Sequence, residues 1–350
     1  MAAAIARLHL RLSHSGRSLA SRPLGQLRVA GFASVPQGAA VYYIRSDGAP
    51  GAFLPPAECR ISVDDRGFLF ADGLYEVTKA YTGGLLFTEA QHMTRLERGL
   101  RELSIGENDA ARDALLSEVR TVSRELLNRN RLLDGPATIY VQITRGTAPR
   151  AHAFPKPPVA PTVFVAAKPF TEPPATSFSD GVAAVTERDT RWGRCDLKTV
   201  GLLANVLANQ RAKAAGAYEC LFVRGRNVVE ASHSNVFAVI DGELVTPPLE
   251  NLLAGVTRSV ILARAGELGI RTREGPIPIS AIRPRGAASE LFTTATTTEA
   301  MPIVEVDCKR VGDGKVGPIT RALREAWPRW VAEDCALSNA AASTNSTPTV

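Results

Sequence analysis

Short β-rich runs constrain this chain more than any other feature, because they recur through most of its length and alternate with helical stretches. The turn Asp241-Gly242 joins two of these runs and predicts a β-hairpin. Strands and helices mix without the strict alternation of a parallel sheet, so the pattern predicts an α+β fold. The runs are Val41–Ile44, Thr138–Thr144, Thr162–Ala167, Val182–Thr186, Glu219–Val223, Asn227–Glu230, Asn235–Ile240 and Glu243–Thr246.

Two amphipathic helices are predicted in the first half, one over Thr88–Ile105 and one from Asp109 to about Leu133. Thr88 and Gln91 have the spacing of a capping box at the start of the first helix. Further helical stretches follow Lys198, Thr257 and Pro318. The apolar stripes of the two helices are Met93, Leu96, Leu100 and Leu103, and then Leu115, Val119, Val122 and Leu126.

A proline-rich segment divides the chain. With 350 residues, 45% of them apolar and 22% charged, the chain has the composition of a globular protein of about two domains, not of a collagen-like, coiled-coil or disordered one. Lys168–Ser179 contains Pro169, Pro173 and Pro174 and shows no periodicity. We therefore expect an N-terminal α+β domain over 41–168, a linker over 169–179 and a C-terminal domain over 180–332. The last residues, from Ser338 to Val350, are expected to form a disordered tail.

The net charge of +6 is concentrated at the N-terminus. Residues 1–34 contain five arginines and no acidic residue, and the remainder has 36 basic residues against 35 acidic ones. An Arg-rich, Ser-rich and acid-free segment is typical of an organelle transit peptide. Arg28 shortly before Gly31-Phe-Ala-Ser34 resembles a mitochondrial processing site, which favours the mitochondrial matrix over the plastid stroma.

The alternative for this segment is a disordered basic arm that binds nucleic acid, but the nearly neutral body offers that interpretation no support. No uncharged apolar run reaches the roughly 18 residues that a membrane span needs.

The five cysteines are odd in number, widely spaced and without a Cys-x-x-Cys pair. This pattern excludes a disulfide framework and the common zinc sites, and it suits a reducing compartment.

Lysine is scarce, with seven lysines against 34 arginines, so a lysine in an apolar setting is conspicuous. Lys198 is in such a setting, within Asp196-Leu-Lys-Thr-Val-Gly-Leu-Leu203. A desolvated lysine can form an imine with a carbonyl, although a snorkelling lysine at a helix start is the more common reason for one there. Glu230 ends a β-rich run. A carboxylate there either holds a proton on a heteroaromatic nitrogen or caps its own turn.

Three further features suggest a phosphate site. Gly255-Val-Thr257 before an apolar helical stretch offers backbone donors and a hydroxyl, or an ordinary threonine N-cap. The run Thr293–Thr298 offers hydroxyls, or an ordinary strand. Arg95 offers a cation, or a surface charge on a helix. A lysine, a carboxylate and a phosphate-binding site formed by separate segments together specify a pyridoxal phosphate site.

The segment from Glu230 to Arg258 resembles the full signature of the class IV aminotransferases. It reads Glu230-x-Ser-x-x-Asn-Val-Phe237, then Leu244-x-Thr246, then Leu253-x-Gly-Val-x-Arg258. Within the family the chain is most similar to the D-amino-acid aminotransferases, through Asp65–Glu76, His92–Leu96, Thr144–His152 and Arg191–Lys198. The resemblance implies a two-domain, fold-type-IV enzyme with its cofactor, pyridoxal 5'-phosphate, at the domain interface.

The resemblance also implies roles for individual residues. Lys198 is implied as the Schiff-base lysine, and Glu230 as the partner of the pyridine nitrogen. Residues that bind the phosphate are Arg95, the amides of Val256 and Thr257, and the region of Thr296. Residues that bind the substrate α-carboxylate are Tyr75, Arg150 and His152. In the family the Arg-x-His loop reaches the neighbouring subunit, which implies a homodimer and gives the long loop Arg145–Pro161 a purpose.

The implied activity is ping-pong transamination between a D-amino acid such as D-alanine and a 2-oxo acid such as 2-oxoglutarate. The alternatives are aminodeoxychorismate lyase and a branched-chain L-amino-acid aminotransferase, both on the same scaffold, and a cofactor-binding regulator. Three residues depart from the pattern of the D-enzymes. Ala71 replaces the usual glycine before Asp72, and Ala231 and His233 replace small residues. His233 lies either beside the cofactor or in structural packing.

Overall fold

The computed structural model describes residues 41–344. The predicted transit segment, residues 1–34, lies outside this range, as do the last six residues of the predicted tail. In the described range two β-sheets form. The first contains every strand up to Pro169, and the second contains every strand from Val182 onward.

The first sheet is antiparallel, with six strands in the order β2-β1-β6-β5-β3-β4. Its apolar face packs against α2 and α3, whose buried leucines, valines and methionine form one core with the sheet. The elements are β1 (Tyr42–Arg45), β2 (Ala52–Leu54), α1 (Arg66–Phe70), β3 (Gly73–Tyr81), β4 (Leu85–Leu86), α2 (Glu89–Glu102), α3 (Asp109–Arg129), β5 (Ala137–Thr144) and β6 (Thr162–Pro169).

The second sheet has ten strands, nine in the order β12-β11-β10-β14-β15-β7-β8-β9-β13, with β16 paired to β15. Three of its pairs are parallel, β11 with β12, β15 with β7, and β7 with β8. The strands are β7 (Val182–Arg188), β8 (Glu219–Arg224), β9 (Asn227–Ala231), β10 (Asn235–Ile240), β11 (Glu243–Thr246), β12 (Thr272–Glu274), β13 (Ile277–Pro278), β14 (Ala288–Ala295), β15 (Glu299–Val306) and β16 (Lys309–Arg310).

Four helices accompany the second half of the chain, and a 3₁₀ turn follows the third of them. They are α4 (Ala175–Ser179), α5 (Leu203–Ala214), α6 (Val256–Arg264), the 3₁₀ turn at Ala265–Leu268, and α7 (Pro318–Thr344). The side chains of α6 and α7 pack on stacked Phe237 and Phe292 of the sheet. No helix within residues 41–344 is long and apolar enough to cross a membrane.

Each β-rich run identified in the sequence forms a strand within one or two residues of its expected bounds, and the mixed α+β architecture is confirmed. Both predicted helical stripes are buried, apart from the partly exposed Leu103. The prediction of a capping box at Thr88 and Gln91 is wrong. Thr88 has a left-handed backbone with φ 56°, and its hydroxyl donates to the carbonyl of Phe87 instead of accepting from the helix.

The predicted tail is also partly wrong, because α7 continues past Ser338 to Thr344. Alanine-rich sequence favours helix even without an apolar stripe. The domain boundary at 169–179 stays a prediction. This stretch is where the first sheet ends, and the short helix α4 occupies part of it.

Ala71 ends α1 in the left-handed region, with φ 55° and ψ 29°. Its amide donates to the carbonyl of Gly67, and the amide of Asp72 donates to that of Arg66, which closes the turn. A side chain with a Cβ atom pays about 1–2 kcal/mol for this conformation, and glycine does not. The departure from the usual glycine therefore leaves the geometry intact and adds strain next to Asp72.

We expect Ala71→Gly to raise the free energy of unfolding by about 0.5 kcal/mol, since relief of the strain exceeds the entropy that glycine gains in the unfolded chain. Urea unfolding measures the change. The control is Ala114→Gly on the exposed face of α3, where glycine lowers the free energy of unfolding by about 1 kcal/mol. Equal destabilisation by both substitutions would contradict the strain at Ala71.

Candidate active site

A cavity of about 830 Å³ lies where the two sheets meet. Its walls come from β3 and α2 of the first half and from β9, β10, β14 and α6 of the second, together with an irregular segment from Thr190 to Leu202 and the start of α5. Of the nine residues that the resemblance implies for cofactor and substrate binding, seven line this cavity: Tyr75, Arg95, Lys198, Glu230, Val256, Thr257 and Thr296. Arg150 and His152 do not.

Lys198 lies in an irregular segment that pairs with the start of β3. The amide of Tyr75 donates to the carbonyl of Lys198 at 3.0 Å, and the amide of Val200 donates to Gly73 at 3.1 Å. The amine of Lys198 lies 4.1 Å from the centre of the Tyr75 ring. Among residues 41–344 no hydrogen bond or ion pair to this amine forms. Burial, and then the positive charge of Arg95, lower its pKa from 10.5 to about 8.

Glu230 is buried at the end of β9 and its carboxylate accepts three hydrogen bonds. The donors are the guanidinium of Arg191, the side-chain amide of Asn235 at 3.0 Å and the backbone amide of Leu253 at 3.2 Å. Burial raises the pKa of Glu230 above its usual value, and Arg191 opposes this effect. A buried carboxylate with a raised pKa retains affinity for a proton in the cavity.

Arg191 is itself held in place by Asp189, whose two oxygens accept from it at 3.0 and 3.1 Å. Arg224 donates to the same carboxylate at 2.9 Å. The guanidinium of Arg191 also stacks over the ring of Phe222, 4.4 Å from its centre. The orientation of Glu230 therefore depends on a chain of charges that extends to the protein surface.

Arg95 forms a bidentate pair with Glu76, at 2.7 and 2.8 Å, and donates to the carbonyl of Ala254 at 2.8 Å. His92 contacts the same carboxylate at 2.9 Å. Burial alone would raise the pKa of Glu76, but Arg95 and His92 outweigh it and lower that pKa from 4.5 to about 2. Glu76 is therefore ionised and fixes the guanidinium at the cavity wall.

Three further groups line the same cavity as Arg95. Helix α6 begins with the amides of Val256 and Thr257, and its N-cap Gly255 supplies no side-chain acceptor for them. The hydroxyl of Thr294 is buried without a partner in the described part of the chain. Thr296 lies in the turn that follows β14. These donors and a fixed cation suit a phosphate group.

Tyr75 lines the cavity, stacks on Tyr140 with ring centres 5.9 Å apart, and keeps its phenolic proton because burial raises its pKa to about 12. Arg150 and His152 are exposed on the loop 145–161 of the same chain. Both contact the ring of Phe70, and Arg66 holds the carbonyl of Ala151 at 2.6 Å. The single chain therefore does not bring the predicted carboxylate-binding residues together.

His233 lines the cavity and also has a structural partner. Its Nδ1 lies 3.0 Å from a carboxylate oxygen of Glu219, which is fully buried at the start of β8. The hydroxyls of Ser232 and Ser234 donate to the same carboxylate. Burial raises the pKa of Glu219, but His233 and the two serines reverse this and lower it. The structural interpretation of His233 therefore has a contact that supports it, and its position beside the cofactor stays a prediction.

Sequence reasoning missed Glu76 and Arg191 as members of the site. Glu76 alternates with Leu74 and Thr78 on the buried face of β3. A carboxylate on the buried face of a strand is unusual, and this could have identified Glu76 from the sequence. No local pattern in the sequence identifies Arg191, because its ion pairs with Asp189 and Glu230 form only in the folded chain.

Comparison with known proteins agrees with this geometry. Residues 73–306 match the family model described as amino-transferase class IV. The chain belongs to the class IV aminotransferases. These enzymes use pyridoxal 5'-phosphate. Similar curated proteins are the D-alanine aminotransferases of Staphylococcus haemolyticus, 38% identical over 80% of this chain and 96% of that protein, and of Bacillus licheniformis, 34% identical over 79% and 93%.

Solved structures of class IV enzymes share the fold. The branched-chain amino acid aminotransferase of Escherichia coli matches with a TM-score of 0.72 and 24% identity, over 83% of this chain and 93% of that one. The enzyme of Thermoproteus uzoniensis, solved with norvaline, matches with a TM-score of 0.70 and 26% identity, over 85% and 96%. Another branched-chain enzyme, solved with pyridoxamine 5'-phosphate, matches with a TM-score of 0.72 and 24% identity, over 85% and 95%.

The cavity of this aminotransferase fits the family's cofactor. An unpartnered hydroxyl on Thr294, the free amides of α6 and the fixed cation of Arg95 supply donors for a phosphate. An amine of lowered pKa and a buried carboxylate supply the groups for an aldehyde and a ring nitrogen. Glycine is required at position 255, because a Cβ atom there would overlap Oδ1 of Asn235.

We expect Glu76→Gln to lower the free energy of unfolding at pH 7 by about 3 kcal/mol, because it leaves Arg95 without its buried counter-charge. The folded-state pKa of Glu76 lies below the unfolded value, so its contribution is complete above pH 4.5 and is lost as the pH falls towards 2. The difference between the two proteins should therefore narrow below pH 4.5.

Urea unfolding at pH 7 and in steps down to pH 3.5 measures this difference. The control is Glu125→Gln, which removes an exposed pair with Arg129 on α3 and should change the free energy of unfolding little at any pH. A gap between wild type and Glu76→Gln that widens on acidification would show that the carboxylate is not stabilised by its partners.

Proposed function

We propose that this class IV aminotransferase transfers the amino group of a D-amino acid, such as D-alanine, to a 2-oxo acid, such as 2-oxoglutarate. The observation that carries the proposal is the cavity itself, where Lys198, with a pKa of about 8, and buried Glu230 lie among donors that fit the cofactor. The similarity to D-alanine aminotransferases over 80% of the chain supports the choice of a D-amino acid.

Pyridoxal phosphate supplies an aldehyde that bonds to amines and a ring that takes up the electron pair left when an α-proton departs. Lys198 would supply the amine that holds the aldehyde. Once a substrate amine has taken its place, the freed amine of Lys198 would act as the general base for the α-proton of the substrate and then as the general acid that returns this proton. Its lowered pKa leaves a useful neutral fraction near neutral pH.

Glu230 would hold a proton on the ring nitrogen of the cofactor, and Arg191 and Asn235 fix the carboxylate for this task. Arg95, the amides of Val256 and Thr257, and the turn at Thr296 bind the phosphate. Tyr75 donates its phenolic hydrogen to the substrate carboxylate, because its pKa of about 12 keeps it protonated.

The protein works as a homodimer in this proposal. Arg150 and His152 are exposed and away from their own cavity, yet the loop that carries them is fixed by Arg66, by the ring of Phe70 and by Phe154, which stacks on Arg145. An ordered loop with exposed charged side chains suits delivery of those side chains to a second subunit. Arg150 can bind a substrate carboxylate in the bidentate manner there.

The activity is tested by incubating purified protein with pyridoxal phosphate, 2-oxoglutarate and either D-alanine or L-leucine. We expect pyruvate to accumulate from D-alanine, with little branched oxo acid from L-leucine. Lys198→Ala should abolish turnover, since it removes both the amine and the acid-base group. Activity on L-leucine alone would contradict the proposal in favour of a branched-chain enzyme, and normal turnover by Lys198→Ala would contradict the role of that lysine.

Sharing of sites between subunits is tested by co-expressing Lys198→Ala and Arg150→Ala chains, each inactive or weak by itself. In a hybrid dimer, one cavity has an intact Lys198 and receives an intact Arg150 from its neighbour. Random pairing should then restore about a quarter of wild-type activity, because half of the dimers are hybrids and each hybrid has one complete site. No recovery would show that Arg150 acts within its own subunit.

A further inference from the structure

Lys79 is buried on β3 and plays no part in the mechanism above. It shares one face of the strand with Tyr75 and Val77, which line the cavity, since alternate residues point to the same side. Its ammonium group lies 3.1 Å from a carboxylate oxygen of Glu299 and 3.0 Å from one of Glu172. The rings of Tyr81 and Phe170 enclose it further, at 4.8 and 5.3 Å.

Glu299 occupies a strained position two residues after Thr297, which lines the cavity. It follows the three-residue turn Thr296–Thr298 between β14 and β15, and it pairs with Ala295 across that hairpin. Its φ of 60° places it in the left-handed region, where glycine is the usual residue. A glutamate stays in this conformation only if its surroundings impose it.

The surroundings of Glu299 supply that constraint. The same oxygen that binds Lys79 also accepts from the hydroxyl of Tyr81 at 3.1 Å, and Trp327 donates to that hydroxyl at 3.1 Å. Arg324 donates to the carbonyl of Ala300 at 3.0 Å and to that of Thr298 at 3.3 Å, on either side of Glu299. The turn is thus fastened to the first sheet by a buried ion pair and to α7 by its backbone.

We propose that Lys79 is a positioning residue for the phosphate of the cofactor, because its ion pair with Glu299 fixes the turn that carries Thr296 and adjoins Thr294. The inference rests on the proposed role of that turn in binding the phosphate. Lys79 touches neither cofactor nor substrate. Without its charge, Glu299 loses its buried counter-ion and the turn is free to leave the strained conformation.

The test compares two ligands of the cofactor-free protein, pyridoxal 5'-phosphate and pyridoxal, which lacks the phosphate. We expect Lys79→Met to weaken the affinity for pyridoxal 5'-phosphate by about tenfold or more and that for pyridoxal by less than about twofold. Absorbance titration gives both dissociation constants. The control is Lys309→Met, an exposed lysine on β16, which should change neither affinity.

Lys79→Met leaves the carboxylate of Glu299 uncompensated, so the double variant Lys79→Met/Glu299→Gln is measured beside it, with folding checked by circular dichroism. Both variants should lose the preference for the phosphorylated ligand. If the variants keep that preference, or lose affinity for both ligands equally, the role of Lys79 is wrong, but the proposed phosphate-binding site is not contradicted. If the wild-type protein binds both ligands equally, the proposed phosphate-binding site is wrong, and so is the inference about Lys79.

Discussion

Two backbone hydrogen bonds between the start of β3 and the segment Lys198–Val200 tie the second half of the chain to the first. Every other feature of the site is arranged around this junction. It sets the amine of Lys198 against the ring of Tyr75, and the alternation of β3 then places Glu76 on the opposite face, where it meets Arg95. A single strand therefore positions both the amine of Lys198 and the guanidinium of Arg95.

Each buried carboxylate of the site has a basic side chain as its partner, because an unpaired charge in the interior is costly. Glu76 pairs with Arg95, Glu230 with Arg191, and Glu219 with His233. In all three cases, the carboxylate belongs to a strand and the partner comes from a different element of the chain. These contacts fix the carboxylates in place, and Lys198 is a cavity group that has no such partner within residues 41–344.

The strands were predictable from the sequence where β-branched residues form continuous runs, as in β5, β6 and β10. Strand β3 was not predicted, because Glu76 and Lys79 interrupt its apolar pattern and their partners lie up to 220 residues away. The lysine and the glutamate of the site were visible in the sequence because each is unusual in its local setting. Arg191 and the Glu76–Arg95 pair could not be predicted, since no local sequence pattern indicates the contacts that these residues form in the fold. Arg150 and His152 lie outside the cavity of their own chain, so their predicted role rests on the proposed dimer.

The pKa of Lys198 also bears on the acid–base role proposed for its amine. A pKa of about 8 places the two protonation states of the amine only about 1.4 kcal/mol apart at pH 7. In the proposed cycle the same amine would accept a proton in one step and release it in the next, and closeness to this balance point keeps both steps accessible. The direction of nitrogen transfer would then follow the free energies and concentrations of the amino acids and oxo acids, as it does with any catalyst.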